Sequence, residues 1–188
     1  MLRLTLLCHA MAPARPPAFA DDAPLQASLR AAVAALRTRL PRAEHYRASP
    51  ALRARQTAEA LGIAADAEPA LADLDLGRWT GRPLADIHEA EPEAAAAWLA
   101  DPAAASHGGE SRAALQARVA AWLDHQADGR GHMLCVTHAA VIRAAVLHAL
   151  GAPADAFFRL DVEPLSLADL RHDGRRWAVR SLNLPLGD

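Results

Sequence analysis

Leu4-Thr5-Leu6-Leu7-Cys8-His9, near the start of the chain, and Met133-Leu134-Cys135-Val136-Thr137-His138, far downstream, are two apolar runs that each end on a histidine. Each has the length and the Leu/Val content of a buried strand. A break follows the first and a helix start follows the second, so each histidine falls at the carboxyl end of its strand. In open α/β sheets that edge is where ligands bind. Between them lies Ser49-Pro50-Ala51-Leu52-Arg53-Ala54-Arg55-Gln56-Thr57-Ala58-Glu59, which reads as a helix start bearing Arg53.

Working outward, a first strand is predicted over 2–8 and a proline-broken loop over 11–24. Leu25, Leu29, Val33, Leu36 and Leu40 recur with a helical period, predicting a helix over 25–40. A short strand is predicted over 45–48. Ser49-Pro50 then reads as a serine cap with proline at the first helical position, and that helix stops at Leu61-Gly62. Residues 71–80 read as an irregular loop, and 83–99 as helix interrupted by Pro92. Gly108-Gly109-Glu110-Ser111 is a turn opening a long helix to about residue 126. A strand over 132–137 leads into a helix over 139–150, ended by Gly151. Segments 166–171 and 177–182 around Asp173-Gly174 predict a hairpin. Strands alternating with helices imply an α/β fold, a three-layer sandwich around a mostly parallel central sheet. No repeat or linker composition divides the chain. Residues 1–188 therefore read as one domain, in which 82–108 is either a small cap or a plain surface helix with its loop.

Composition narrows the function. The chain of 188 residues is 52% hydrophobic but only 4% aromatic, so alanine and leucine carry the core of a soluble globular protein. All 20 Lys+Arg positions are arginine. Schiff-base and P-loop chemistry, which need lysine, are excluded. A net charge of -2 and the lack of a basic block argue against nucleic acid as a partner. No run approaches the length of a membrane span. The apolar start ends at His9 and meets prolines at once, so it is not read as a signal peptide. The two cysteines, Cys8 and Cys135, fall in buried strands, in keeping with a cytoplasmic location.

Two histidines and an arginine gathered at strand ends suit phosphoryl transfer. That chemistry needs a nucleophile, cations around the equatorial oxygens and an acid for the leaving oxygen. A neutral imidazole can attack phosphorus directly if its other nitrogen is held by a backbone carbonyl. Metal binding by Cys8, His9, Cys135 and His138 is disfavoured, because alternation sends Cys8 and His9 to opposite faces. No cofactor is expected.

Five motifs in order resemble the histidine phosphatase superfamily, in the branch of the cofactor-dependent phosphoglycerate mutases and the small alpha-ribazole-phosphatase-like enzymes. The family's strand ending R-H-G is matched by Cys8-His9-Ala10. Its S-x-L-x-R-A-x-Q-T-A segment is matched by 49–58, and its L-x-E-x-x-x-G-x-W-x-G pattern by 71–81. G-G-E-S is present at 108–111, and V-T-H-G-G-x-I-R is matched by 136–143. The resemblance implies a phosphoglycerate mutase-like fold. It implies His9 as the phosphorylated nucleophile, Arg53 and His138 as phosphate ligands, with His138 also part of the catalytic set, and Asp73 as the general acid. Trp79, Gly81 and the Gly-Gly-Glu-Ser turn are read as structural.

The chain departs from that pattern in places. Cys8 stands where the family has an arginine, Ala10 where it has a glycine, Ala12 where it has a hydroxyl residue, and Asp73 where it has a glutamate. Arg15 either turns inward as a substitute phosphate-binding cation or is a solvated loop residue. Asp75 is the alternative acid. The expected activity is metal-independent hydrolysis of a small phosphomonoester through phospho-His9, with a phosphorylated small molecule or inorganic phosphate as the ligand. A mutase is less favoured, because 82–107 is short beside the insertions of the related mutases. The rival expectation is a catalytically impaired relative that binds a phosphorylated ligand or partner. Oligomeric state and substrate identity are not set by the sequence.

Overall fold

A computed structural model of the chain describes residues 1–11, 19 and 22–187. Strand β1 (Leu2–Cys8) leads to helix α1 (Ala27–Ala35), strand β2 (His45–Ala48), helix α2 (Leu52–Ala60) and the two-residue strand β3 (Asp66–Ala67). Helices α3 (Leu84–Ala90), α4 (Pro92–Ala100) and α5 (Arg112–Gln126) follow, then β4 (Gly131–Thr137), α6 (Ala139–Leu150), β5 (Ser166–His172) and β6 (Trp177–Pro185). The strands form one sheet in the order β3-β2-β4-β1-β5-β6. β3, β2, β4 and β1 pair in parallel, while β5 and β6 add an antiparallel edge.

Burial on both faces explains the unbroken apolar runs of β1 and β4. Leu2, Leu4, Leu6 and Cys8 share one core with Met133 and Cys135, packed under Leu115, Val119 and Leu123 of α5 and Val141 and Ala145 of α6. Leu7, Leu134 and Val136 face the other way, onto Val33 of α1 and Ala54 and Ala58 of α2. The two cores make the three layers, and the expected sandwich is observed.

The hairpin expected around Asp173-Gly174 forms and runs three residues further than predicted, to Pro185. The helix expected over 25–40 is shorter: α1 ends at Ala35 and tightens into a 3-10 turn over Leu36–Arg39. The loop expected over 71–80 contains a second such turn, Gly77–Trp79. The largest correction concerns Ser49-Pro50. Helix α2 starts at Leu52 with Ala51 as its uncapped first flank. The Ser49 hydroxyl is turned to a histidine instead, as described below.

The segment 82–108 contains α3 and α4, clasped onto a small aromatic core. Trp79, Ile87, Ala95 and Trp98 are buried together, and the Phe19 ring stacks on Trp79. Glu91, where α3 meets α4, receives hydrogen bonds from Arg78, from Arg82 at 2.7 Å and from Trp79 Nε1 at 3.1 Å. These donors hold its carboxyl at a pKa of about 2. Among the described residues, no helix is long and apolar enough to cross a membrane.

Candidate active site

Register brings the two histidines together. Cys8 pairs with Thr137, and the His9 N–H donates to the Thr137 carbonyl at 2.8 Å. One residue beyond each strand, the imidazoles of His9 and His138 meet edge to face with centroids 5.0 Å apart. Both rings continue the alternation of Leu7 and Val136, which points them toward α2. Arg53 lies in the first turn of that helix.

His9 is almost fully buried. Its Nδ1 lies 2.8 Å from the Ala10 carbonyl. A carbonyl only accepts, so Nδ1 carries the hydrogen and Nε2 keeps a free lone pair. Burial, reinforced by the neighbouring His138, lowers the His9 pKa to about 4. The ring is therefore a neutral base at physiological pH. Thr57 of α2 fixes the turn beyond it: its hydroxyl accepts from Ala10 N–H at 3.1 Å and donates to the Arg53 carbonyl at 2.7 Å. Ala10 takes the family glycine's place without strain, since its backbone is outside the left-handed region.

Two donors converge on one carboxylate oxygen. Arg53 Nη2 lies 2.5 Å and His138 Nδ1 3.3 Å from Asp73 Oδ2. Burial favours the neutral acid, but the His138 ring and the Arg53 guanidinium outweigh it and hold the Asp73 carboxyl far below the usual carboxylate range. A cavity of about 390 Å³ opens beside this pair, lined by Arg53, Asp73, Pro50, Leu74 and Thr80 among others. Asp75, the alternative acid, also lines this cavity, but its Oδ1 accepts the Gly77 N–H at 2.8 Å on the surface and it makes no contact with Arg53 or His138 among those described. Cys8 packs on the opposite face, and burial raises its thiol to about 12, so it brings no charge to the site. Arg15, the candidate substitute cation, lies outside the described residues.

The loop carrying Asp73 is braced by Arg118, which the sequence did not single out, together with Thr137 and the Gly-Gly-Glu-Ser turn. Arg118 of α5 pairs with Glu110 at 2.7 Å and donates to the carbonyls of Ala70 and Ala72 at 2.8 and 3.2 Å. Thr137 Oγ1 donates to the Leu71 carbonyl at 2.8 Å. Glu110 N–H donates to the Asp75 carbonyl at 2.7 Å, and Ser111 caps α5 as expected through Ala114 N–H. The backbones meet closely at Gly109, where a Cβ would lie 2.2 Å from the Asp75 carbonyl oxygen. Gly109→Ala is expected to lower stability by about 2 kcal/mol and Tm by about 6 °C. A thermal melt within a degree of the parent would show that the loop yields freely.

The model of the histidine phosphatase superfamily, branch 1, matches residues 4–185. The chain belongs to this superfamily. Similar solved structures agree with the fold. Mycobacterial glucosyl-3-phosphoglycerate phosphatase in complex with VO3 has 26% identity and a TM-score of 0.80, covering 97% of this chain and 98% of that one. The alpha-ribazole phosphatase of Shigella flexneri has 23% identity and a TM-score of 0.84 over 96% of each chain. A phosphoserine phosphatase variant from Entamoeba histolytica, complexed with phosphoserine, has 16% identity and a TM-score of 0.83 over 97% of each chain. Among curated proteins, none matches the chain in sequence. Within the histidine phosphatase pattern, His9, Arg53, Asp73 and His138 all come to one end of the sheet, and Ser49 and Thr57 join them as buried partners.

Proposed function

We propose that the protein is a phosphatase that hydrolyses a small phosphomonoester through a phosphohistidine at His9, without a metal. The observation that carries this reading is the His9 ring: Nδ1 tied to the Ala10 carbonyl, Nε2 free, and the pKa lowered to about 4. Arg53 Nη2 and His138 Nδ1 converge where a phosphoryl oxygen would sit, in the place Asp73 Oδ2 now holds. In the first step His9 Nε2 attacks phosphorus, the P–O bond to the alcohol breaks, and the leaving oxygen takes a proton from Asp73. In the second, Asp73 accepts a proton from water as it attacks phosphorus. The N–P bond breaks, releasing inorganic phosphate and neutral His9. Phosphomonoesters lose their second proton near pH 6, so the entering substrate can deliver the proton that Asp73 needs. Phosphatases among the similar structures support hydrolysis as the reaction class. The reading takes residues 1–188 as one domain with 82–108 as a small cap.

The test is turnover on a panel of small phosphomonoesters in the presence of a chelator. Release of phosphate supports the reading. A second reading rests on Cys8: a buried neutral thiol in the place of the family arginine leaves the phosphoryl group one cation fewer. Under that reading the protein binds a phosphorylated ligand or partner without turning it over. Inorganic phosphate then raises Tm while no ester is hydrolysed.

The pKa of His9 makes a prediction of its own. Protonation blocks attack, so kcat/KM is expected to fall as pH drops through about 4, not through the ordinary value of about 6.5. Folding also excludes a proton that the unfolded chain binds. Stability is therefore expected to decline from about pH 6.5 down to about pH 4, by on the order of 3 kcal/mol. An NMR titration of the His9 ring with a midpoint near 6.5 would refute both expectations.

A further inference from the structure

Ser49 follows β2 directly, and its backbone N–H donates to the Val136 carbonyl at 2.9 Å. The pairing of Ala48 with Val136 sets it beside the strand end that carries His138. Its side chain is fully buried, yet it caps no helix. Its Oγ accepts the Ala51 N–H at 3.3 Å and lies 2.7 Å from His138 Nε2. On the far side of the ring, Nδ1 faces Asp73 Oδ2 at 3.3 Å and Arg53 Nη2 at 3.5 Å. The Asp73 carboxylate only accepts, so its approach to Nδ1 calls for a hydrogen there, and Arg53 and His138 then both point at the same carboxylate oxygen.

We propose that Ser49 is a positioning residue that keeps a hydrogen on His138 Nδ1, aimed at the phosphoryl position, whatever the charge of the ring. A hydroxyl is both donor and acceptor. When the ring is neutral, Ser49 donates to Nε2 and the hydrogen stays on Nδ1. When the ring is protonated, Nε2–H donates to Ser49 Oγ and Nδ1–H still points into the site. The phosphoryl oxygen therefore keeps its hydrogen bond in either charge state of the ring. Without the hydroxyl, the neutral ring is free to carry its hydrogen on Nε2. It then turns a lone pair toward the phosphoryl group, which repels it. Among the described residues, the charged and titratable groups facing the ring are Arg53 from α2, Asp73 from the loop after Leu71 and His9 from the end of β1.

This inference rests on the phosphatase reading for its kinetic part only. In Ser49→Ala, kcat/KM is expected to fall about tenfold at neutral pH, and Ser49→Thr, which restores a hydroxyl, is expected to recover it. The ring itself gives a second readout. In 15N NMR with inorganic phosphate as the probe, the neutral His138 of the parent is expected as the Nδ1–H tautomer alone and that of Ser49→Ala as a mixture that includes Nε2–H. An unchanged rate in Ser49→Ala, no recovery in Ser49→Thr, or the same tautomer in parent and Ser49→Ala overturns the proposal. If the parent hydrolyses no ester, the phosphatase reading fails and the tautomer comparison still decides the role of Ser49.

Discussion

Turnover is expected to fall by about 10⁴-fold or more in His9→Ala, because the variant loses the atom that attacks phosphorus. Among the described residues, no neighbour is set to replace it. Cys8 is adjacent in sequence, but it packs on the opposite face as a neutral thiol. His138 is buried, and both its nitrogens are engaged, Nε2 by Ser49 and Nδ1 by Asp73. The loss should be chemical and not structural. The ring's Nδ1 bond goes to the neighbouring Ala10 carbonyl, while the turn is held independently by Thr57 on Ala10 N–H and by His9 N–H on Thr137. Inorganic phosphate should still raise the Tm of the variant, since Arg53 and His138 remain. Rapid-quench labelling should find an acid-labile phosphoryl group on the parent and none on the variant. Equal rates in the two proteins would exclude His9 as the nucleophile.

How much of this was legible in the sequence follows from the range of the forces involved. Strands β1 and β4 could be read because they are buried on both faces, which leaves an unbroken apolar run. The bounds of α6 could be read because Gly151 ends it in the left-handed conformation, with φ 63°. The opposite facing of Cys8 and His9 was legible from alternation alone. Strand β3 was not legible: it is two exposed residues, Asp66 and Ala67, with no periodicity to detect. Ser49 was misread because Ser-Pro is a sound local signal for a helix cap, whereas the hydroxyl's actual partner is 89 residues away. Its position directly after a strand, at the same edge as both histidines, was the available clue. Arg118 reads locally as a solvated helix arginine. Its hold on the Asp73 loop exists only once α5 has packed against it. What local pattern supplies is therefore the scaffold and the nucleophile's address. The contacts that orient His138, and those that Arg53 and His138 make to Asp73 Oδ2, are long-range in sequence; only the Leu74 N–H on Asp73 Oδ1 is local.

The second large effect concerns Asp73, and it has two parts of opposite sign. Asp73→Asn is expected to lower turnover by about 10²- to 10⁴-fold, because an amide cannot protonate the leaving oxygen. The same change is expected to tighten the binding of inorganic phosphate by about tenfold. The reason is the ligand-free geometry: Asp73 Oδ2 occupies the point on which Arg53 Nη2 and His138 Nδ1 converge, at 2.5 and 3.3 Å. An incoming phosphoryl group must displace that carboxylate before it meets either donor. Asp73 is ionised throughout the neutral range, so the competition operates wherever the enzyme would work. Displacement also reverses the acid's surroundings. Beside Arg53 and His138 it is held as a carboxylate; beside a phosphoryl dianion, with its cations taken, it favours the protonated form. One movement thus opens the site and readies the acid, which links substrate entry to proton delivery. Isothermal titration with phosphate, run beside turnover assays on both proteins, separates the two parts. Weaker phosphate binding in the variant would mean that Asp73 supports the anion site and does not compete for it. Unchanged turnover with tighter binding would keep the competition and move the acid to another group.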